Sequence, residues 1–180
     1  MRLIRIKFLC GMILLMGSQG VFAEIDPYYL SSPSCVIDRG NPARTGEYVA
    51  EPLIKNHEVK WAVDVPGRAS LICYNNSIIA NGPTVIDINT GKISWQVYNQ
   101  FFGSGNLLYK EKLYATSDQI DGTSVVEYDP ATGKKVMQIS NEHNKHGGFS
   151  PLAYNDILYF NVSNSIVAYD LKNKKLCGVL

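Results

Sequence analysis

The pattern best suited to metal chemistry is a pair of histidines, His143-x-x-His146. Imidazole nitrogens are common zinc ligands, but a zinc site needs three or four ligands and hydrogen-bonded support behind them. The surrounding stretch from 140 to 148 is polar and contains two adjacent glycines, which predicts a loop between structural units. Histidines on such a loop are usually solvated. His143 and His146 are therefore candidates that lack further ligands, and no metal is predicted.

Patterns for nucleophilic catalysis or nucleotide binding are not found in the sequence. Serine, histidine and aspartate occur, but no Gly-x-Ser-x-Gly segment would place a nucleophile on a sharp strand-to-helix turn. The segment Gly103-Ser104-Gly105 lacks the third glycine and the helical setting of a dinucleotide site, so it predicts a loop. We predict no catalytic residue, and enzymatic activity is less favoured than a binding role.

Charge and composition exclude further classes of protein. Lysine and arginine total 17 against 16 acidic residues, which leaves a formal charge of +1 and no basic surface for nucleic acid. Apolar residues make up 46% and charged residues 18%, a balance typical of a folded chain.

The first 23 residues have the three-part pattern of a secretory signal peptide. Basic residues lie within the first seven positions, an uncharged apolar run covers 8–16, and Val21-Phe22-Ala23 follows. We predict cleavage between Ala23 and Glu24 and export to the periplasm or the medium. The alternative is an uncleaved anchor, but the apolar run is shorter than the ~20 residues that span a bilayer. No transmembrane anchor is therefore predicted after cleavage.

Three cysteines follow the predicted cleavage point: Cys35, Cys73 and Cys177. Exported proteins form disulfides, and a pair between Cys35 and Cys73 is one of three that are open. The alternative is three reduced cysteines that act as small apolar residues.

An internal repeat organises the rest of the chain. The aligned aspartates Asp87, Asp129 and Asp170 are 42 and 41 residues apart, and a tyrosine followed by a polar pair precedes each of them. Each copy predicts four short strands, with turns at the polar pair and after the aspartate. The second copy has the longest insertion, at 117–122.

The turn after each aspartate has the form Asp-x-x-Thr-Gly-Lys. The first two copies match it with Asp87, Thr90, Gly91 and Lys92, and with Asp129, Thr132, Gly133 and Lys134. The aspartate can accept a backbone hydrogen bond two residues on, and the glycine supplies a positive φ. In the third copy we align Asn173 with the glycine, since asparagine also tolerates a positive φ.

Four antiparallel strands repeated about every 40 residues predict blades of a β-propeller, in preference to a β-sandwich. We predict an all-β fold, a partial propeller of about three four-stranded antiparallel blades. The predicted organisation is a signal peptide at 1–23, a largely irregular segment at 24–58 and repeats at 59–180. The blades are placed at 59–98, 99–140 and 141–180.

These residues resemble the quinoprotein (PQQ-type) propeller repeat, in which a tryptophan follows the Gly-Lys pair. Trp95 matches it, whereas Met137 and Gly178 hold that position in the second and third copies. The segment 39–46 and the following Val59-Lys60-Trp61 resemble the start of exported members of this family. A large ring repeated in each blade can fill the wedge between blades, so Trp61 and Trp95 are interpreted as packing residues.

The resemblance implies two functions. Quinoprotein dehydrogenases hold PQQ and a Ca²⁺ or lanthanide ion on the axis of an eight-bladed ring, and about three blades cannot enclose that axis, so we predict no cofactor. We expect a non-catalytic protein-interaction scaffold of the cell envelope, similar to the propeller scaffold of outer-membrane assembly machinery. Its partner would be an envelope protein or peptide, or further copies that complete a ring. The alternative is the N-terminal remnant of a longer, truncated quinoprotein-like dehydrogenase that is inactive alone.

Overall fold

The computed structural model describes residues 58–65, 71–80, 82–97, 101–119, 122–140, 150–162 and 165–179. Within these ranges the chain forms twelve β-strands in three separate sheets and contains no helix. Consequently, no helix among these residues could cross a membrane. The predicted cleavage site at Ala23 and Glu24, the segment 39–46, Cys35 and the His143/His146 pair lie outside the described residues.

Each sheet contains four consecutive strands in spatial order, paired antiparallel. The first consists of β1 (Ile72–Tyr74), β2 (Ser77–Ala80), β3 (Thr84–Asp87) and β4 (Ile93–Gln96). The second consists of β5 (Phe101–Tyr109), β6 (Lys112–Gln119), β7 (Gly122–Tyr128) and β8 (Lys135–Ser140). The third consists of β9 (Leu152–Tyr154), β10 (Ile157–Val162), β11 (Ser165–Asp170) and β12 (Lys175–Val179). The predicted all-β fold with three four-stranded blades is confirmed.

The sheets repeat one another in detail. The register between the third and fourth strand of each sheet shifts at the same place, two residues before the repeat aspartate: at Val85/Ile86, Glu127/Tyr128 and Ala168/Tyr169. The insertion of the second copy lengthens the β6–β7 hairpin, whose pairing extends to Gln119 and Gly122. Positions can therefore be compared between sheets by their distance from the aspartate or from the first hairpin turn.

One local prediction was wrong. Gly103-Ser104-Gly105 was expected to be a loop, but it lies within β5, where the pairing with β6 shifts register between Phe102 and Asn106. The small residues accommodate this irregularity and a close approach, because a Cβ on Gly105 would collide with Ser150 ahead of β9. Glycine here reflects a strand bulge and not a turn.

The hydrophobic core lies between consecutive sheets. One apolar cluster joins the first sheet to the second: Ile72, Ile79, Val85, Leu108, Leu113, Ala115, Val126 and Tyr128. Another joins the second sheet to the third: Leu107, Tyr109, Tyr114, Val125, Ile139, Ala153, Leu158, Phe160, Val162 and Val167. Alternate residues of β5, β6 and β7 therefore pack against the first and the third sheet, as expected for strands with period-two alternation.

Candidate functional site

The predicted repeat residues form a rigid turn after β3 and after β7. Asp87 Oδ1 accepts hydrogen bonds from the amides of Asn89 and Thr90, at 3.0 and 2.8 Å, and from the Thr90 hydroxyl at 2.8 Å. The bonds from Thr90 lower the pKa of Asp87, because they stabilise the charged carboxylate. Asp129 accepts equivalent bonds from the amides of Ala131 and Thr132. In these exposed turns the aspartate side chains are hydrogen-bonded to the turn backbone, so their role is to hold the strands together.

The third turn corrects the sequence alignment. Asn173 donates its amide hydrogen to Asp170 Oδ1 at 2.8 Å and its side-chain amide to Asp170 Oδ2 at 2.7 Å, and so it takes the role of Thr90. Lys174 takes the place of the glycine, with φ +52° where Gly91 has +70°. The earlier alignment was one residue out, because Asn173 was matched by its tolerance of positive φ and not by its distance from Asp170.

Two tryptophans contact the turns of the sheet that follows them. Trp61 Nε1 donates to the Ile88 carbonyl at 2.9 Å, and its ring covers Gly91. Trp95 Nε1 donates to the Pro130 carbonyl at 2.8 Å, and its ring covers Gly133. Both tryptophans are therefore packing residues that clamp a turn, and each glycine leaves the space that its ring occupies.

The segment 58–65 repeats the role of β4 without belonging to a described sheet. Trp61 contacts the first turn in the same way as Trp95 of β4 contacts the second turn. Val63 and Val65 are half-buried on the same alternate positions as Trp61, whereas Val59 is exposed. The segment forms no ladder with the described strands.

The second and third sheets meet differently, and a cleft of about 230 Å³ lies between them. Met137 holds the position of the tryptophan, and Tyr169 donates its hydroxyl to Met137 Sδ at 3.6 Å. The cleft is lined by Tyr109, Lys110, Lys112, Tyr114, Asp156, Leu171 and Lys172, and we call it the inter-sheet cleft.

An ion pair and two tyrosines organise one side of the cleft. Lys110 Nζ lies 2.5 Å from Asp156 Oδ1, and the hydrogen bond to Asp156 raises the pKa of Lys110. The hydroxyl of Tyr109 accepts the Asp156 amide hydrogen at 3.2 Å. Lys110 and Asp156 belong to the first hairpin turns of adjacent sheets, so the pair connects the two turns.

A buried carboxylate lies behind the cleft. Glu127 is only 3% exposed, and its Oε1 lies 2.9 Å from Lys112 Nζ. That oxygen makes no hydrogen bond of good geometry with the described residues. Burial raises the pKa of Tyr114 well above its ordinary value, and the nearby Glu127 carboxylate raises it further, so Tyr114 stays a neutral phenol. The inter-sheet cleft therefore has charged and polar groups that a bound ligand can contact.

The outer face of the third sheet is covered by no described sheet, and its central residues are half-buried. Leu152, Tyr159 and Ala168 occupy the positions that Ile72, Ile79 and Val85 hold in the first sheet, where the second sheet covers them. Ile166 shares this face with Ala168 and is 51% exposed, whereas Leu176 and Val179, paired with Tyr169 and Val167, lie on the opposite face of the edge strand β12 and are 57% and 51% exposed. No described residue lies within 4 Å of a Cβ placed on Gly178, which holds the tryptophan position of this sheet. The third sheet thus presents a partly apolar face that no described sheet covers.

Sequence reasoning missed the inter-sheet cleft. Its charged residues lie in segments that match no motif. The sequence signal for them was that they differ from their counterparts in the other copies of the repeat. Glu127 stands where the other copies have Val85 and Ala168, and Lys112 stands where the first has Ser77. The cysteines that the structure describes, Cys73 and Cys177, are exposed and form no disulfide there, and pairing with Cys35 stays a prediction.

Comparison with known proteins decides the fold. The structure of BamB from Moraxella catarrhalis superposes with a TM-score of 0.51 at 18% identity, over 67% of this chain and 39% of that one. A europium-containing methanol dehydrogenase superposes with a TM-score of 0.60 at 14% identity, over 81% of this chain and 31% of that one. The chain has the PQQ-like β-propeller fold.

This PQQ-like propeller spans well under half the length of either similar structure. No protein-family model and no curated protein sequence matches it. The sequence identities are low, so the likeness establishes the fold and leaves the activity to be argued from the surfaces of the PQQ-like propeller itself.

Proposed function

We propose that this chain is an exported, non-catalytic scaffold of the cell envelope that binds a partner protein through the outer face of the third sheet. The carrying observation is that no described sheet covers this face, on which Ile166 is 51% exposed and Leu152, Tyr159 and Ala168 are half-buried. Contiguous apolar surface on a soluble domain typically marks an interaction site.

The repeat indicates what kind of surface would cover this face. Counterpart positions in the first and second sheets pack against another four-stranded sheet, through side chains such as Ile79 and Tyr114. A partner that presents a β-sheet or a β-strand would bury the third face in the same way.

The fold comparison supports the scaffold proposal. BamB has this fold, and the sequence resembles the PQQ-type propeller repeat. The predicted signal peptide would bring the chain to the cell envelope or the medium.

Site-specific photocrosslinking tests the interaction. A photoreactive phenylalanine analogue at Ile166, in the full chain expressed in its bacterial host, should give a discrete adduct with an envelope protein. The same analogue at Asn89, exposed on the first turn, is the control. An adduct of equal yield from Asn89 contradicts the proposal, as does an adduct composed only of two copies of this chain.

Export has its own test. The tagged chain should appear in the periplasmic or secreted fraction, and its first residue should be Glu24. A full-length chain that stays in the cytoplasm would contradict export.

A second candidate is a segment of a longer quinoprotein dehydrogenase. The observation that favours it is the superposition of 81% of this chain on a europium-containing methanol dehydrogenase. This candidate predicts in-frame continuation of Asp-x-x-Thr-Gly-Lys repeats in the downstream DNA. It also predicts PQQ-dependent dye reduction by the extended protein with methanol and a lanthanide, whereas the scaffold predicts none.

A further inference from the structure

We propose that the inter-sheet cleft binds a small oxyanion, such as a carboxylate or a phosphate. Three lysines, Lys110, Lys112 and Lys172, line the cleft against one lining carboxylate, Asp156. The lining is therefore positive, and the Tyr109 hydroxyl is directed to Asp156, which leaves the lysine ammonium groups as the donors for a ligand.

The lysine-rich lining occurs at the junction between the second and third sheets and not at the junction between the first and second. At the first junction the positions of Lys110, Lys112 and Tyr114 carry Asn75, Ser77 and Ile79, in the same backbone frame. There Trp95 also covers the following turn at Pro130, the counterpart of the cleft residue Leu171. At the second junction the smaller Met137 replaces the indole. The charge of the cleft thus arises from side-chain replacements at one junction.

The lysines are held in place before any ligand arrives. Lys112 is anchored by Glu127, which is buried, and Lys110 is anchored by Asp156 and lies 5.2 Å from the centre of the Tyr109 ring. An ammonium has three N–H donors, so one carboxylate contact leaves each lysine able to donate further bonds. Pre-positioned donors lower the entropic cost of binding.

Lys110 sits on a strained turn. Lys110 and Glu111 have φ of +47° and +61°, values that asparagine and glycine adopt more readily. The counterpart turns use Asn75-Asn76 and Asn155-Asp156. The second sheet therefore carries a less favourable turn sequence, and this sequence places an ammonium beside Asp156 and the cleft.

Lys172 supplies charge that the protein itself does not neutralise. It is exposed, and its ammonium makes no ion pair or hydrogen bond with the residues that the structure describes. A negatively charged guest would be the partner for this group. A cleft of about 230 Å³ fits phosphate, a dicarboxylate or one acidic side chain of a partner protein.

Titrations of the exported chain by nuclear magnetic resonance test the proposal with inorganic phosphate, succinate and pentaglutamate. We expect saturable shifts at the amides of Lys110, Lys172 and Asp156, with an affinity that falls as sodium chloride is raised. Binding of phosphate or succinate alone indicates a free anion. Binding of pentaglutamate only indicates an acidic segment. No saturable shift with any of the three overturns the proposal.

Matched variants separate the cleft from general surface charge. Lys172→Gln should weaken binding about three- to fivefold, the usual range for one partly exposed charge, whereas Lys92→Gln on the first turn should not. Equal weakening by both variants also overturns it. An unchanged far-ultraviolet circular dichroism spectrum checks that the variants fold. Failure here leaves the crosslinking at Ile166 unaffected, so the two proposals are tested separately.

Discussion

The ring of Trp95 lies so close to Gly133 that a Cβ on this glycine would be 2.6 Å from the indole. Trp61 has the same relationship to Gly91, at 2.7 Å. Glycine in the Asp-x-x-Thr-Gly-Lys turn therefore has two physical causes, its positive φ and the ring above it. The pairing also accounts for the third turn, where Met137 lies in place of tryptophan and Lys174 in place of glycine.

Gly133→Ala should destabilise the protein by about 2 kcal/mol or more, since it adds overpacking against Trp95 to an unfavourable φ of +72°. Urea unfolding monitored by tryptophan fluorescence measures the change. Gly178→Ala is the matched control, because a Cβ there meets open space. Equal losses for the two variants would contradict the ring contact.

Met137→Trp alone should be destabilising, by about 1–3 kcal/mol, because the new ring would meet the Cβ of Lys174. Lys174→Gly alone should stabilise by about 0.5–1 kcal/mol, because glycine adopts the positive φ at lower cost. The double variant should recover much of the loss. A double-mutant cycle on unfolding free energies measures the coupling, and additive effects would argue against a tryptophan–glycine pairing rule.

Lys112→Met should cost about 1–3 kcal/mol, since it leaves the buried Glu127 carboxylate without its cation. Replacing both partners by their first-sheet counterparts, as Lys112→Ser with Glu127→Val, should cost much less, because no buried charge remains unpaired. Thermal unfolding compares the three proteins. If the double variant loses as much as the single one, the ion pair itself is the stabilising element.

Stability should fall below about pH 4 through Asp87 and Asp170. Hydrogen bonds from Thr90 and Asn173 lower the two pKa values below their ordinary value of 3.8. A lowered pKa in the folded state gives a stabilising contribution that is present above the unfolded value and is lost as pH falls through the folded one. Carboxyl titration by nuclear magnetic resonance gives the pKa values directly. Asp87→Asn, which keeps an acceptor oxygen, should have a shallower acid dependence, and an unchanged slope would contradict this assignment.

Local interactions made the repeat recognisable from the sequence. Asp87 binds amides two and three residues ahead, and the period-two alternation of β11 is visible in its residues. Such contacts lie within a few positions in the sequence, so residue types and spacing were enough to predict turns, strands and the number of blades. The alignment of Asn173 with the glycine was wrong because Asn173 and Lys174 each match one feature of the third turn.

Contacts between sheets were decided only by the tertiary structure. Lys110 and Asp156 belong to hairpin turns of different repeats, and Glu127 and Lys112 come together only because β6 and β7 pair. Neither pair has a local signature, since any surface turn can carry a charge. The sequence by itself determined the repeating frame through short-range hydrogen bonds. The stacking of one sheet on the next determined which replacements in that frame share a cleft and which apolar positions stay exposed, because side chains far apart in the chain meet only when the sheets pack.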